Sequence, residues 1–172
     1  MKLHNTSRRK FLGSGTAMAG FSILPSGLRA NSPNGRLQSA HIGVGGKGSV
    51  DTAQIAAHSK TQVVALCDVD RYSLEGRGRK QTASIEERYP GAKKFQDYRE
   101  MLNAMGDKVD IVSVSTPDHT HHPATMKAIE LGKHVYTQKP LTNNIAEARA
   151  LMASAQKHKV YTQMGIQNQS SI

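Results

Sequence analysis

The stretch Ala40-His41-Ile42-Gly43-Val44-Gly45-Gly46-Lys47-Gly48-Ser49-Val50 decides the fold of this 172-residue chain. Its glycines Gly43, Gly45 and Gly48 have the spacing G-x-G-x-x-G. In such a motif one glycine forms a tight turn, one lets the backbone approach a pyrophosphate, and one lets a helix pack closely on a strand. The stretch therefore predicts a dinucleotide-binding loop. The flanking elements are a strand predicted at residues 37–42 and a helix predicted at residues 46–58, whose first N–H groups face the phosphates.

An acidic residue stands where this motif requires one. Asp68 lies twenty residues after Gly48, directly after a strand predicted at residues 62–67. A carboxylate at the end of that strand can accept both ribose hydroxyls of an adenosine and repels a 2′-phosphate, so NAD is predicted over NADP. Arg71 keeps NADP as the alternative, because a nearby arginine can bind that phosphate. Without this context the glycines would indicate only a surface turn.

The remaining sequence alternates between strand and helix patterns, which predicts an α/β fold with a doubly wound, mostly parallel Rossmann sheet. The further predicted strands are residues 94–96, 110–116, 134–137 and 160–164. The helix at residues 71–89 contains Gly76 and Gly78 and is expected to break there, since glycine costs about 1 kcal/mol in a helix interior. The expected buried faces are Val50, Ala53 and Ala57 in the first helix and Ile145, Ala148, Met152 and Ala155 in the last.

The N-terminus carries a targeting pattern. Ser7-Arg8-Arg9-Lys10-Phe11-Leu12 contains paired arginines and is followed by a weakly apolar run, which is typical of a twin-arginine (Tat) signal peptide. We expect residues 1–30 to be this signal and residues 31–36 a linker. The Tat translocase is then a partner, and the location is periplasmic or secreted. Tat substrates cross folded, so the cofactor is expected to be loaded beforehand and tightly held. A disordered basic N-terminus or an uncleaved anchor is the alternative.

The charge balance argues against a nucleic-acid partner. The chain has 23 Lys and Arg residues against 13 Asp and Glu, a formal charge of +10. Five of the basic residues lie in the predicted signal, and the modest excess that remains forms no clustered stripe. The densest run, Arg77-Gly78-Arg79-Lys80, fits a solvated helix face. Cys67 is the only cysteine, so no intrachain disulfide is possible, and its apolar neighbours predict a buried small hydrophobe.

Two further segments could carry chemistry. The loop Thr116-Pro117-Asp118-His119-Thr120-His121-His122-Pro123 follows a predicted strand, and its histidines resemble metal ligands. Adjacent loop residues rarely converge on one centre, so we expect no metal. His119 and His121 are instead expected to hydrogen-bond phosphate, ribose or substrate, and His122 to be solvated. Lys139, between Gln138 and Pro140 at another strand end, can bind a substrate hydroxyl and pass its proton; an ordinary surface lysine is the alternative.

These motifs together resemble a known family. The glycine loop, Cys67-Asp68-Val69-Asp70, Thr116 to His121, Gly132-Lys133-His134-Val135 and Gln138-Lys139-Pro140-Leu141 follow one another as in the N-terminal domain of the glucose–fructose oxidoreductase, inositol dehydrogenase and rhizopine-catabolism family. The resemblance runs from about residue 37 to the C-terminus and is closest to Tat-exported members. It implies an NAD(P)-dependent oxidoreductase with a Rossmann domain, here residues 37–165, and a second α/β domain that builds most of a sugar site and often the oligomer interface.

The resemblance also assigns residues. Lys139 inherits the substrate-binding and proton-handling role, while Gln138 replaces the family's usual glutamate and loses its charge. The predicted catalytic residue is Lys139, and the predicted cofactor-binding residues are Gly43, Gly45, Gly46, Lys47, Gly48, Asp68, Ser115, Thr116, Pro117, His119, His121 and Gln138.

The length departs from the family pattern. A member should continue for roughly another domain, so residues 166–172 are expected to begin the connection to a second domain. The full-length enzyme is expected to be a homo-oligomer. Three functions follow: an NAD-dependent dehydrogenase of a sugar or polyol, a glycoside-cleaving enzyme that oxidises its sugar transiently, or a non-catalytic dinucleotide-binding module.

Overall fold

The computed structural model of the chain describes residues 35–76 and 85–166. In these residues six parallel strands form one sheet in the order β3-β2-β1-β4-β5-β6. The strands are β1 Leu37–Ile42, β2 Thr61–Cys67, β3 Lys93–Phe95, β4 Ile111–Val114, β5 His134–Gln138 and β6 Thr162–Gly165. The α-helices are α1 Gly46–Ala56, α2 Arg71–Leu74, α3 Ile85–Arg88, α4 Tyr98–Met105, α5 His121–Glu130 and α6 Ile145–His158. Short 3₁₀ helices span Gly106–Lys108 and Asp118–Thr120.

The strand order reverses at β1, which pairs with β2 on one side and with β4 on the other. From this point the chain builds outward twice, first to β3 and then to β6. In open α/β sheets the crevice outside the carboxyl ends of the strands at such a reversal is where ligands bind. The predicted doubly wound Rossmann fold is confirmed, and each predicted strand lies within two residues of its observed position.

One face of the sheet packs on an apolar core. Ala40, Ile42, Val112, Val114 and Val135 point to this face from β1, β4 and β5. The residues that cover them come from α4 and α5: Met101, Leu102, Met105, Ala124, Ala128 and Ile129. The three α4 residues form the buried side of that helix. This core fixes β1 and β4 side by side and so positions the crevice above them.

The opposite face has a different character. A second, smaller apolar cluster lies beside β2 and contains Val44, Val63, Leu66, Leu74, Ile85, Tyr89 and Ala92. Beneath α1, however, the buried side chains of β1 and β4 are polar. His41 on β1 contacts Ser113 Oγ at 2.6 Å through Nδ1 and Ser39 Oγ at 3.0 Å through Nε2. Burial lowers the pKa of His41 from 6.5 to about 4, against the opposing charge of Asp51, so this imidazole is neutral at pH 7.

The predicted buried face is wrong in α1 and partly right in α6. In α1, Val50 is 46% exposed and the inward residues are Gly48, Asp51 and Thr52. In α6, Ala155 packs against the core and Ala148 is half-buried, as predicted, but Ile145 is 70% and Met152 59% exposed, and the fully buried residue is Leu151. The error in α1 has a physical reason: the surface it covers is hydrogen-bonding, so polar side chains face the sheet. Apolar spacing alone could not show this.

The ends of three helices carry local cap or turn residues. Asn144 Oδ1 accepts a hydrogen bond from Glu147 N at 2.9 Å, which is one half of a capping box, while Glu147 Oε2 accepts one at 3.0 Å from Asn143 N, one residue before the N-cap. Asp97 caps α4 but accepts from Arg99 N, at 2.8 Å. Gly132 ends α5 with φ +72°. Leu131, the C-cap residue of α5, is exposed.

The helix predicted at residues 71–89 is interrupted. It appears as α2 and α3, and Gly76 follows α2 with φ +74°. Gly78 and the basic run of residues 77–80 lie outside the described residues, as do the predicted signal peptide and all but residues 35 and 36 of the predicted linker. In the described part of the chain no helix has the length and apolar character needed to cross a bilayer.

Candidate functional site

The glycine loop joins β1 to α1 through contacts that only glycine permits. Gly43 has φ +81°, and a Cβ on it would lie 2.5 Å from the carbonyl oxygen of Ser115. A Cβ on Gly48 would lie 2.0 Å from the carbonyl oxygen of Gly43, so a side chain there would separate α1 from β1. Gly46 has φ +48° and open space around it. The turn and close-packing functions that the motif predicts are therefore visible in the backbone.

The N-terminus of α1 is suited to an anion. Its N-cap is Gly45, which makes no side-chain hydrogen bond to the helix, and the first turn contains no acidic residue. The first N–H groups of a helix have no intrahelical partner and carry the positive end of its dipole. A pyrophosphate placed at Gly46 would accept from these groups without displacing a protein side chain.

Asp68 stands beside the loop at the end of β2. Its Oδ2 accepts hydrogen bonds from Val44 N at 2.9 Å and from Gly45 N at 3.2 Å, and its Oδ1 accepts one from Asp70 N at 3.0 Å. A carboxylate offers about four acceptor positions, so capacity remains for hydroxyl groups. The carboxylate thus has a structural function that the sequence did not indicate, namely to hold the glycine loop, in addition to facing the crevice.

A cleft of about 380 Å³ opens at this point. Seven of the predicted cofactor residues line it or form its loop: Gly43, Gly45, Asp68, Ser115, Thr116, Pro117 and His119. The other seven lining residues were not predicted: Ile42, Cys67, Val69, Ser73, Gln96, Tyr98 and Thr120. Only the folding of α2, the end of β3 and α4 around β2 brings Ser73, Gln96 and Tyr98 to the cleft. Their apolar and polar mixture, next to the carboxylate, suits the adenosine part of a dinucleotide.

Cys67 also lines the cleft, and it is buried. Burial raises the pKa of its thiol to about 12, and the charges of Asp68, Asp97 and Glu100 act in the same direction. A thiol with so high a pKa stays protonated at neutral pH and is a poor nucleophile. The prediction that Cys67 is a small hydrophobic residue is confirmed.

His121 has a different position from the predicted one. It is buried at the start of α5, where Nδ1 contacts the carbonyl oxygen of Pro140 and Nε2 that of Thr116 at 2.8 Å. Both ring nitrogens are therefore engaged with backbone, and the residue ties the loop after β4 to the loop after β5. This corrects the expectation that His121 offers a nitrogen to a ligand. His119 is exposed at the cleft, whereas His122, expected to be solvated, is half-buried in α5.

A second polar group lies beneath α1, and its centre is Asp51. This side chain is 1% exposed, and its Oδ1 lies 2.7 Å from Lys47 Nζ. Its Oδ2 accepts hydrogen bonds from Ser115 Oγ at 2.8 Å and from Gln138 Nε2 at 2.7 Å. Asp51 was missed because the predicted buried face of α1 excluded it. The available signal was its position four residues after Lys47, which favours an ion pair on a helix.

Lys139 follows β5 directly and is exposed. Its backbone N donates to Gln138 Oε1 at 3.3 Å, and the Lys139–Pro140 peptide bond is cis. Lys139, Gln138 and Lys47 lie outside the lining of the Asp68 cleft, on the side of the glycine loop toward β5. The structure thus divides the predicted residues into an Asp68 group and a Gln138–Lys139 group, with Ser115 between them. Among the described residues no three His, Cys, Asp or Glu side chains are grouped as metal ligands.

Comparison with known proteins identifies the fold family. Residues 37–166 match the family model of the oxidoreductase family with an NAD-binding Rossmann fold, whose members include the glucose–fructose oxidoreductases and inositol dehydrogenases. The chain belongs to this family. The predicted NAD cofactor is therefore confirmed, and the glycine loop, the uncapped α1 and Asp68 are suited to hold it.

Individual relatives add detail. The chain is 28% identical over 177 residues to a glycosyl hydrolase family 109 protein of Shewanella sp. strain MR-4, covering 90% of this chain and 38% of the relative. It is 32% identical to the D-glucoside 3-dehydrogenase of Escherichia coli K12, covering 63% of this chain and 28% of the relative. A scyllo-inositol dehydrogenase of Lactobacillus casei, solved with NAD(H) and scyllo-inositol, shares the fold at a TM-score of 0.68 and 19% identity, covering 79% of this chain and 38% of that one. The chain thus spans less than two fifths of the length of these relatives.

Proposed function

We propose that this chain supplies the NAD-binding part of an oxidoreductase that acts on a hydroxyl group of a sugar or polyol. The observation that carries the proposal is the combination of an uncapped α1, a glycine loop closed by backbone contacts, and Asp68 at the end of β2. Support for a carbohydrate substrate comes from the relatives, which include a D-glucoside 3-dehydrogenase and a scyllo-inositol dehydrogenase.

The residues of this chain divide the work between them. The N–H groups at Gly46 and Lys47 hold the pyrophosphate, and Asp68 accepts the adenosine ribose hydroxyls. NAD, when bound, supplies the hydride-accepting ring. Lys139 holds the substrate hydroxyl and takes its proton as the carbinol carbon is oxidised. The exposed position of Lys139 at the carboxyl end of β5 places it at the same edge of the sheet as the cofactor loop.

Titration with NAD and NADP tests the cofactor assignment. Asp68→Asn should weaken NAD binding by about 10- to 100-fold, because hydrogen bonds to a charged group contribute about 1.5–3 kcal/mol. NADP should lose less, since repulsion of its 2′-phosphate is relieved at the same time. Asp107→Asn is the matched control, an exposed carboxylate at the opposite end of β4, and should leave both affinities unchanged. Equal NAD affinity in wild type and Asp68→Asn would contradict the assignment.

A second function is favoured by the glycosyl hydrolase family 109 relatives. In that reaction NAD would oxidise a ring hydroxyl transiently and be regenerated, so that a glycosidic bond is cleaved with no net redox change. Absorbance at 340 nm with sugars and aryl glycosides separates the two, because only the dehydrogenase accumulates NADH. Lys139→Met should abolish either activity and leave NAD affinity intact.

We also propose export by the Tat translocase, from the paired arginines Arg8 and Arg9. Replacing both with lysine should retain the protein in the cytoplasm, as measured by fractionation and immunoblotting. Equal export of this variant and the wild type would remove the proposal. Because Arg8 and Arg9 are not among the residues that form the site, NAD affinity serves as the control for an intact domain.

A further inference from the structure

Asp51 is a buried carboxylate for which the proposed chemistry gives no use. It projects from α1 toward the sheet and is 1% exposed. Taking an isolated carboxylate out of water is strongly unfavourable, so such a group persists only where its charge and its acceptor positions are matched. The groups that contact this carboxylate therefore show which elements of the fold it joins.

Three elements meet on this carboxylate. Lys47 approaches Oδ1 at 2.7 Å from one turn earlier on α1. Ser115, just after β4, and Gln138, the last residue of β5, both donate to Oδ2, at 2.8 and 2.7 Å. The carboxylate thus joins the phosphate-binding helix to the ends of two strands that are neighbours in the sheet.

The pairing also fixes the orientation of the Gln138 side chain. Because Nε2 donates to Asp51 and lies 3.2 Å from Tyr136 Oη, the amide oxygen is turned away, and it accepts from Lys139 N at 3.3 Å. A glutamate at position 138 would put a second carboxylate about where the amide nitrogen now lies, 2.7 Å from Asp51 Oδ2. Two carboxylates so close cannot both stay ionised at neutral pH.

We propose that Asp51 is a positioning residue that holds the glycine-loop helix and the Gln138–Lys139 segment in one fixed relation, and that it requires an amide rather than a carboxylate at position 138. Asp51 lies outside the cleft lining and is buried, so it acts through Gln138 and not on a ligand. The link between this Gln138–Lys139 segment and NAD binding or proton transfer by Lys139 rests on the proposed function.

The charged and titratable groups around Asp51 come from each packed element. Lys47 lies on α1 itself, His41 faces it from β1, and Tyr136 lies on β5 behind Gln138. Ser115 contributes a neutral hydroxyl from β4. His41 and Tyr136 are present in every variant below, so a change in pH dependence between variants reports the pair at positions 51 and 138.

The test exchanges the carboxylate at position 51 and the amide at position 138. The variants Gln138→Glu, Asp51→Asn and the double variant Asp51→Asn/Gln138→Glu are made in the 172-residue chain, and the melting temperature without ligand is measured from pH 5 to pH 9. Gln138→Glu should melt about 5 to 10 °C below wild type at pH 8, since a few kcal/mol shift the melting temperature of a domain this size by that amount. The deficit should shrink at pH 5, where one carboxylate is protonated.

The double variant restores one carboxylate and one amide in reversed positions. It should recover most of the loss at pH 8 and the pH profile of the wild type, and NAD affinity should fall about 10-fold in Gln138→Glu and recover in the double variant. Gln163→Glu, the same change on exposed β6, is the matched control and should alter neither quantity.

Two results would overturn the proposal. The first is a double variant no more stable at pH 8 than Gln138→Glu. The second is restored stability with NAD affinity equal in all variants, which would make Asp51 a purely structural residue. A wild-type chain that binds no NAD would overturn the proposed function and with it the positioning role. The melting curves would still decide whether positions 51 and 138 must carry one carboxylate and one amide.

Discussion

The face of the sheet beneath α4 and α5 is apolar, whereas the face beneath α1 carries hydroxyl, imidazole, carboxylate and amide groups. On the first face a buried polar pair is formed by Thr125 of α5 and Thr137 of β5, whose hydroxyls lie 2.7 Å apart. On the second, His41, Ser113, Asp51 and Gln138 are buried. Both faces belong to the same strands, since alternate residues of a strand point to opposite sides.

The difference separates two ways of holding a parallel sheet together. Apolar burial is non-directional and tolerates small displacements of side chains, so it suits the face that requires only close packing. Hydrogen bonds need fixed donor and acceptor positions, and a buried group without its partner is strongly unfavourable. The polar face lies under the cofactor loop, where the relative position of Gly43, Ser115 and Gln138 must be exact for the edge of the sheet to form a site.

The largest effect is expected on the polar face at Gly48, where α1 packs directly on the backbone of the glycine loop. Gly48→Ala puts a Cβ 2.0 Å from the Gly43 carbonyl oxygen, so α1 must move off the sheet. We expect a loss of more than about 3 kcal/mol of unfolding free energy, measured by urea denaturation. Gly106→Ala is the control, because nothing lies near that Cβ and its φ of −49° suits alanine. Similar stability of the two variants would refute the close-packing function of Gly48.

On the apolar face, Leu102→Ala removes a fully buried side chain. The expected loss is about 3 kcal/mol, from lost transfer free energy and the cavity left behind. Because no charge is involved, this loss should be the same at pH 5 and pH 8. A pH-dependent loss, seen in urea unfolding at both values, would mean that the apolar face is coupled to the polar one.

On the polar face, stability should depend on pH through His41. Its pKa is about 4 when folded and 6.5 when unfolded, so below pH 6.5 the unfolded chain binds a proton that the folded chain does not. The contribution of neutral His41 to the free energy of unfolding is therefore complete above pH 6.5. About 2–3 kcal/mol of it is lost as the pH falls to 4. His41→Gln should flatten this part of the profile, while the exposed His58→Gln should not. An unchanged slope in His41→Gln would show that the imidazole titrates normally.

The smallest effect concerns α6, which buries Leu151 but leaves Ile145 and Met152 exposed. A helix with so narrow a buried face depends more on its cap. Asn144→Ala should lower the unfolding free energy by about 1 kcal/mol, because Glu147 N loses its acceptor. Asn143→Ala keeps its backbone bond to Glu147 and should be neutral. A neutral Asn144→Ala would mean that contacts with α5 alone hold the helix.

The two carboxylates of the site show how far sequence reasoning reaches. Asp68 was predicted because it follows a short apolar strand at a fixed distance from the glycine loop, which is a pattern along the chain. The contacts of Asp51 with Ser115 and Gln138 follow no pattern along the chain, because these partners are 64 and 87 residues away. The same holds for His121, whose backbone partners come from two different loops.

The sequence by itself determined the order of strands and helices, the Rossmann class, the glycine turn, the helix ends and the position of Asp68. These depend on φ/ψ preferences and on apolar periodicity over a few residues, which are local properties. Only the tertiary structure decided which side of α1 and of α6 faces inward, that His121 ties two loops together, and that Gln138 faces a carboxylate. Those outcomes depend on which groups meet across the sheet, and a helix turns by about 100° per residue, so a small error in phase exchanges its buried and exposed sides.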